Sequence, residues 1–499
     1  MNIAETLADS AARESEGTAL ILDDVSVSYA ELDTAGKRIA GLLAERGIGP
    51  GDRVGVMLPN VVEFAPVYFG VLRAGAVVVP MNPLLKAREV EYYLSDSGAR
   101  LLFSWHTTTD EVEKGIAGSG GEAVNETVAP GQLPQGPVSE GVADRAADDT
   151  AVILYTSGTT GRPKGAELTH SNLLRNVEVT QSDLLDISTD DVVFGGLPLF
   201  HAFGQTVTLN TTVAVGATLV LLSRFDPVAA LNLMAQHGVT VFAGVPTMYS
   251  AFLAVADPPS LPALRVCVSG GAALPVEVLR RFETVFGCEV LEGYGLSETS
   301  PVASFNRPGT ARKPGSIGTP VTGVEMRVVD ADGAPVPDGE VGEIAIRGHN
   351  VMKGYWRKPD ETKAAKSEDG WFATGDMGKV DEEGFFYIVD RKKELVIRGG
   401  FNVYPREIEE VLYEHPAVSE AAVIGIPHAE LGEEIGAAVV LRPGTSATTG
   451  EIRAYVKERV APYKYPRVVW ILDEMPKGPT GKIQKRDLVV PNAAEQVRG

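Results

Sequence analysis

Residues Tyr155 to Gly165 read Y-T-S-G-T-T-G-R-P-K-G and follow directly on the apolar run Ala151 to Leu154. Glycine lets backbone N–H groups turn toward an anion with no Cβ in the way, hydroxyls add donors, and an ammonium neutralises charge. Thr156, Ser157, Gly158, Thr159, Thr160, Gly161 and Lys164 therefore make a candidate phosphate cradle. The same residue types also fill ordinary surface turns. Comparison with the P-loop pattern G-x-x-x-x-G-K-[ST] fails at two places. Counted from Gly158, Pro163 stands where the second glycine belongs and Gly165 where the Mg2+-binding hydroxyl belongs. Pro163 has no N–H to give a phosphate, so the loop is of another kind.

A second segment, Leu291 to Pro301, reads L-E-G-Y-G-L-S-E-T-S-P. Tyr294 between Gly293 and Gly295 offers a flat face to a base, Glu298 a hard oxygen for Mg2+, and Thr299 a hydroxyl for a phosphate. A hairpin turn could also hold G-Y-G. The two segments together resemble the AMP-forming acyl-CoA synthetases, the adenylating superfamily that also holds firefly luciferase and peptide adenylation domains. Within it the chain looks like bacterial medium- and long-chain fatty acid–CoA ligases. The resemblance runs over nearly the whole chain and is weakest between about Thr107 and Thr150.

The resemblance implies a role for each matching residue. Glu298 holds Mg2+ with Thr156 as its partner, and Thr299 contacts AMP. His201, in G-G-L-P-L-F-H-A-F-G (Gly195 to Gly204), borders the substrate carboxylate; a lone histidine there is otherwise a packed structural one. Gly244, Val245 and Pro246 line the acyl pocket, and Gly271, Ala272 and Ala273 face the adenine. Asp376, in the T-G-D of Trp371 to Gly378, takes the ribose hydroxyls, with Arg391 of D-R-K-K-E beside it. Lys393 is the hinge about which a C-terminal domain swings. Lys482, in P-K-G-P-T-G-K-I-Q-K-R, is the catalytic lysine of adenylation, and Lys164 manages the departing pyrophosphate.

The implied reaction has two steps. A carboxylate attacks the α-phosphorus of ATP to give acyl-AMP and pyrophosphate; the lid then turns, presents the Arg398 to Asn402 segment, and a thiol takes the acyl group. ATP and Mg2+ are the expected cofactors and coenzyme A the expected co-substrate, with Lys464, Lys477 and Lys485 as cations open to its phosphates. A carrier-protein phosphopantetheine would use the same chemistry. A nucleotide-binding sensor without activity and a luciferase-like monooxygenase are the other classes; retention of Lys482, Glu298, Asp376 and Arg391 speaks against the first.

The pattern of segments predicts an α/β fold. Thr18 to Leu22 and Val25 to Ser28 read as a hairpin, and strand and helix signals then alternate through Trp105, which argues for mostly parallel sheets. Residues from about Thr107 to Thr150 are poor in apolar periodicity and read as a partly ordered excursion, and Ser171 as the cap of a helix through Asn176. Ser316 to Pro320 and Val341 to Gly348 suggest strands and turns of a smaller β-rich section. Pro405 starts a helix in a final α+β unit. The expected division is residues 1–392 as a large domain of αβ layers and residues 393–499 as a small mobile lid.

Composition narrows the partners. The chain has 499 residues, 44% hydrophobic, and a formal net charge of −21 from 66 acids against 45 Lys plus Arg. Nucleic acid, bound through clustered cations, is not an expected partner. The acidic start M-N-I-A-E-T-L-A-D-S lacks the basic and apolar regions of a signal peptide, so a cytoplasmic enzyme is expected. Cys267 and Cys288 lie on strand-like apolar segments and read as buried thiols. From Gln205 to Ser223 there is no charged residue. That stretch is either the lining of an apolar acyl pocket, which would leave a second carboxylate unpaired, or a buried helix and strand with no ligand contact.

Overall fold

The computed structural model describes residues 1–156, 162–428, 430–478 and 481–491. Two large, mostly parallel sheets carry the first part of the chain. In the first, nine strands run in the order Thr319–Pro320, Val302–Phe305, Val290–Gly295, Val266–Ser269, Val241–Gly244, Val192–Gly195, Thr218–Leu221, Thr18–Leu22, Val25–Ser28. In the second, strands Arg53–Met57, Val77–Pro80, Leu101–Trp105 and Thr150–Thr156 form the parallel centre. The central strands are fully buried apolar runs, V-V-V-P at 77–80 and V-C-V-S at 266–269, as strands covered on both faces must be.

Local chemistry fixes where the helices begin and end. Ser28 caps helix Tyr29–Glu45 in a capping box with Glu31, and Thr169 does the same for His170–Val179 with Asn172. The expected cap at Ser171 is thus two residues late, because Ser171 already lies inside the helix. Proline opens helices Pro227–Gln236, Pro246–Leu253 and Pro405–Tyr413.

The stretch expected to be a loose excursion contains helix Thr109–Gly118 and strand Val124–Val128, which extends the second sheet beyond Leu101–Trp105. That helix buries little more than Val112 and Gly115. A Cβ on Gly115 would come within 2.6 Å of Val90, so the glycine permits the close approach. Residues 133–146 run without regular structure along the helices Tyr29–Glu45 and Phe64–Arg73, where Gly136 N bonds Arg38 O and Ala143 N bonds Arg73 O.

A four-stranded antiparallel sheet, Val324–Val329, Gly342–Gly348, Phe372–Val380 and Phe386–Arg391, forms the β-rich section. Beyond it the last hundred residues build a five-stranded sheet with helices Pro405–Tyr413 and Thr449–Lys457. Its apolar core, among them Val396, Ile408, Leu412, Val423 and Ile452, is separate from the large core of the preceding residues. Each region therefore has its own apolar core, the property that lets domains move as units. Among the described residues no helix is long and apolar enough to cross a membrane. Cys267 and Cys288 are buried and unbridged, with their Sγ atoms 3.3 Å apart.

Candidate functional site

A cavity of about 2380 Å3 opens between the large region and the C-terminal region. It lies outside the carboxyl ends of the parallel strands Val241–Gly244, Val266–Ser269 and Val290–Gly295, where an open α/β sheet leaves its binding crevice. Val245, Gly271, Gly293, Tyr294 and Gly295 border it. Gly271 has φ +80, and a Cβ on Gly295 would fall 1.9 Å from Pro301 O, so both turns require glycine. Ala272 and Ala273 border a smaller adjoining cavity of about 210 Å3.

The glycine-rich loop joins two antiparallel strands, Thr150–Thr156 and Lys164–Thr169, in which Thr156 faces Lys164. The segment that follows is a strand, where a P-loop would lead into a helix. Ser157, Gly158, Thr159, Thr160 and Gly161 lie outside the described residues. The flanking Thr156 and Lys164 both border the large cavity, and the Lys164 ammonium sits over the Tyr355 ring, 5.3 Å from its centre.

Thr156 and Glu298 meet as expected from the sequence. Glu298 Oε1 accepts from Thr156 Oγ1 at 3.3 Å and from Tyr355 Oη at 3.0 Å. Among the described residues no group of three or more His, Cys, Asp or Glu side chains could hold a metal. One carboxylate and one hydroxyl facing a phosphate cavity nonetheless suit Mg2+, which takes most of its octahedron from phosphate oxygens and water. The donor set fits.

Thr299 is placed otherwise than expected. It is fully buried, its hydroxyl accepts from Leu296 N at 2.9 Å and donates to Pro301 O at 2.6 Å, and it does not border the cavity. Ser297, which the sequence reading passed over, does border it. The two hydroxyls stand on one tight turn, Ser297–Thr299, and only one of them is spent inside the fold. The signal was present in the motif, since Ser297 directly precedes Glu298.

Tyr294 Oη donates to Asp376 Oδ2 at 2.6 Å, and Arg391 Nε lies 3.3 Å from Asp376 Oδ1. Burial first, then the Asp376 charge, raises the Tyr294 phenol far above its ordinary range, so the ring stays a neutral donor. Asp376 is 5% exposed while Arg391 is open to the cavity. Glu292, also missed from the sequence, is 3% exposed beside the smaller cavity. Its Oε1 accepts from Leu274 N at 3.1 Å, and burial pushes its pKa up to about 7.

His201 lines the large cavity. Burial and the Lys482 ammonium together push its pKa down to about 4, so the ring is neutral near pH 7. Its Nδ1 accepts from Phe203 N at 3.3 Å, which places the ring proton on Nε2. Of the other expected acyl-pocket residues, Val245 borders both cavities, Pro246 only the smaller one, and Gly244 neither. Gly244 is packed instead against the Phe242 ring, where a Cβ would come within 2.5 Å.

Lys482 borders the same cavity as His201, Glu298 and Asp376. Its loop is pinned by Gly478 N to Lys482 O at 2.8 Å and docks on the large region through Thr247 Oγ1 to Gly481 O, also 2.8 Å. Burial and then the Arg391 charge push its pKa down to about 8. Lys393 borders the same cavity, whereas the hairpin Val396–Arg398 and Phe401–Val403 turns Ile397 and Phe401 out to solvent, 52% and 56% exposed.

The three cations expected to be open to coenzyme A phosphates are committed within the fold. Lys464 pairs with Glu407 at 2.7 Å, Lys477 with Glu420 at 2.7 Å, and Lys485 with Glu409 at 2.8 Å and Glu394 at 3.1 Å. Of the uncharged stretch Gln205 to Ser223, Val207 alone borders the cavity among the described residues; its remainder is a buried π-helical turn Phe203–Asn210, helix Thr211–Val215 and strand Thr218–Leu221.

The family model described as AMP-binding enzyme matches residues 7–356, and that described as AMP-binding enzyme C-terminal domain matches residues 407–482. The long-chain-fatty-acid–CoA ligase of Bacillus subtilis (strain 168) is 39% identical over 97% of this chain and 93% of its own. The feruloyl-CoA synthase of Amycolatopsis sp is 39% identical over 94% and 95%. The crystal structure of ATP-bound MatB from Rhodopseudomonas palustris superposes with a TM-score of 0.90 at 36% identity, covering 97% of this chain and 98% of that one.

Proposed function

The chain belongs to the AMP-binding enzyme family and is an AMP-forming acid–thiol ligase, using ATP, Mg2+ and coenzyme A, and on that premise we propose that its acid is an apolar monocarboxylate of the fatty acid kind. One observation carries this reading. Where Leu184, Leu185, Leu197, Val207, Val302 and Phe305 border the cavity the lining side chains are uncharged, and the charged sequence neighbours Asp183 and Asp186 do not border it. A second carboxylate or a sulfonate on the acid would be buried there without a partner, at a cost of several kcal/mol (about 3–5 for a buried charge that has lost its pair). An alkyl chain gains roughly 0.8 kcal/mol for each CH2 it buries. The name of the Bacillus subtilis relative points the same way.

The roles follow from chemistry at named atoms. His201 Nε2–H donates to the substrate carboxylate as a neutral imidazole and so orients it without quenching its nucleophilicity. Lys482 bridges the carboxylate and the α-phosphate, whose charge builds as the carboxylate attacks. Tyr294 and Gly271 to Ala273 hold the adenine, Asp376 and Arg391 the ribose, Ser297 a phosphate oxygen, and the Thr156 to Lys164 loop the leaving pyrophosphate. Glu298 and Thr156 would hold Mg2+, which when bound neutralises phosphate charge. Protein groups here position and neutralise; none forms a bond to the acyl group. Residues 1–392 form the body and 393–499 the lid, turning at Lys393.

An acid-dependent ATP–pyrophosphate exchange panel tests the reading, running from acetate through decanoate and palmitate to ferulate, malonate and sulfoacetate. Exchange should rise with chain length from acetate to the medium or long chains and be at background with malonate and sulfoacetate. Highest turnover with either dianion would refute the apolar pocket, and highest turnover with ferulate would replace the alkyl chain by an aryl one.

A further inference from the structure

The body and the lid exchange carboxylates at the ends of two helices. The lid helix Pro405–Tyr413 has its Arg406 N–H donating, at 3.1 Å, to Oδ2 of Asp390, which stands on the body strand Phe386–Arg391. In return the body helix Val276–Phe286 has its first N–H, that of Val276, donating at 3.4 Å to Oε2 of Glu410 on the lid helix. The Arg406 guanidinium bolts the pair: Nη1 donates to Ile388 O at 2.6 Å and Nη2 to Gly315 O at 3.5 Å, both in the body, and Nε lies 3.7 Å from Glu410 Oε1. A negative group at a helix N-terminus is favoured by unpaired N–H groups and by the helix dipole, and here each region supplies the other's.

We propose that Arg406, Asp390 and Glu410 form a latch that holds the lid in the orientation placing Lys482 over the acid and ATP, and that they are positioning residues for adenylation alone. The proposal rests on the reading of Lys482 and of the lid given above. Every bond in the latch crosses the junction between body and lid except Arg406 to Glu410, so a turn of the lid about Lys393 breaks the latch as a unit. The bonds are polar and edge on a cavity, so water can replace them when they open. An apolar contact of equal size would have to be exposed to water at each turnover.

Lys485 steadies the same corner from within the lid. Its ammonium, held by Glu394 and Glu409, lies close enough to Asp390 to offset that carboxylate's charge. Thus Asp390 meets a cation and a helix N-terminus in this orientation and loses both when the lid leaves.

The test separates the two half-reactions in Arg406→Ala, Asp390→Ala, Asp390→Asn and Glu410→Ala, using the fastest fatty acid of the panel and its synthetic adenylate. Acid-dependent exchange should fall about tenfold in the alanine variants of Arg406 and Asp390, and less in Glu410→Ala, while coenzyme A thiolysis of supplied adenylate stays within about twofold of the parent. Asp390→Asn keeps an oxygen for Arg406 N–H and should recover most of the exchange. Equal loss of both half-reactions, or exchange unchanged in all four, overturns the latch. Should Arg406→Ala fail to fold, Glu410→Ala, on a part-exposed side chain, decides by the same ratio. Lys482→Ala run beside them keeps the two readings apart: if it retains exchange, the assignment of Lys482 falls; if it loses exchange and the latch variants do not, only the latch falls.

Discussion

The cavity has two walls made in opposite ways. The body wall is the ends of buried parallel strands backed by rings: Phe242, fully buried, packs at centroid distances of 5.1 Å from Tyr249, 5.3 Å from Phe252 and 5.9 Å from Phe194. The lid wall is a loop on a small independent core, tied to the body by hydrogen bonds such as Thr247 to Gly481 O and Arg406 to Ile388 O. Apolar packing gives the body precise, permanent geometry, because a close-packed core resists any change of volume. Polar ties give the lid a geometry that is specified but reversible. On the proposed reading the groups that recognise stand on the first wall, and Lys482, which arrives and leaves with the lid, stands on the second.

The largest effect should come from damaging the body wall. Phe242→Ala removes the centre of the ring cluster and should lower the stability of the body by about 3–5 kcal/mol, read as a drop in the first urea midpoint. Gly244 rests on that ring, so the Val245 turn should loosen with it and raise the KM for the acid. If the midpoint stays where it was, the body is not held by this packing and the contrast between the walls fails. The latch variants should leave the same midpoint unmoved.

A smaller effect probes the lid wall by pH. Lys482 must be a cation to bridge two anions, and its pKa in the free enzyme is pushed down to about 8. A lysine with a lowered pKa loses its proton as pH rises through that value. The kcat/KM for exchange should therefore be flat below pH 8 and fall about tenfold per unit above it. His201, held neutral with its pKa at about 4, should add no inflexion near pH 6.5. An inflexion there that disappears in His201→Asn would mean that the histidine titrates in the working range and that its neutral role is wrong, whereas one that persists belongs to another group such as Glu292, which burial pushes up to about 7; a flat profile to pH 10 would mean that no lysine titrating near 8 serves adenylation.

What the sequence made legible follows the same division. Residues of one motif that border the cavity together, Tyr294 with Glu298 or the flanks of the glycine loop, were readable because local spacing sets their geometry. Asp376, Arg391 and Lys482 were readable through the family resemblance, and the structure gathers them about one cavity. The latch was invisible: Val276 lies 134 residues from Glu410, Asp390 and Arg406 are ordinary strand and helix residues, and nothing local marks a carboxylate whose partner is another region's helix. Lys464, Lys477 and Lys485 misled for the same reason, since pairing with Glu407, Glu420 and Glu409 is a tertiary fact. The helix Thr109–Gly118 was missed because it packs chiefly on the neighbouring helix Ala87–Ser97 and buries little more than Val112 and Gly115, so it needs no wide apolar stripe.

The smallest effect bears on the body wall at one turn of chain. Ser297 and Thr299 offer similar hydroxyls two residues apart, and the structure gives them different work. Thr299 Oγ1 satisfies a backbone N–H and a backbone carbonyl in a fully buried site. Ser297 borders the cavity where phosphate is expected. Thr299→Ala should thus lower stability by roughly 1–2 kcal/mol, two hydrogen bonds at about 0.5–1.5 kcal/mol each less the relief of burying fewer polar atoms, with the KM for ATP unchanged. Ser297→Ala should leave the melting curve alone and raise the KM for ATP about fivefold, equivalent to about 1 kcal/mol for one lost hydrogen bond. The crossed result, a folding defect from Ser297 and a binding defect from Thr299, would return the phosphate contact to Thr299 and require the turn to rearrange when nucleotide binds. That would make this part of the body wall as mobile as the lid.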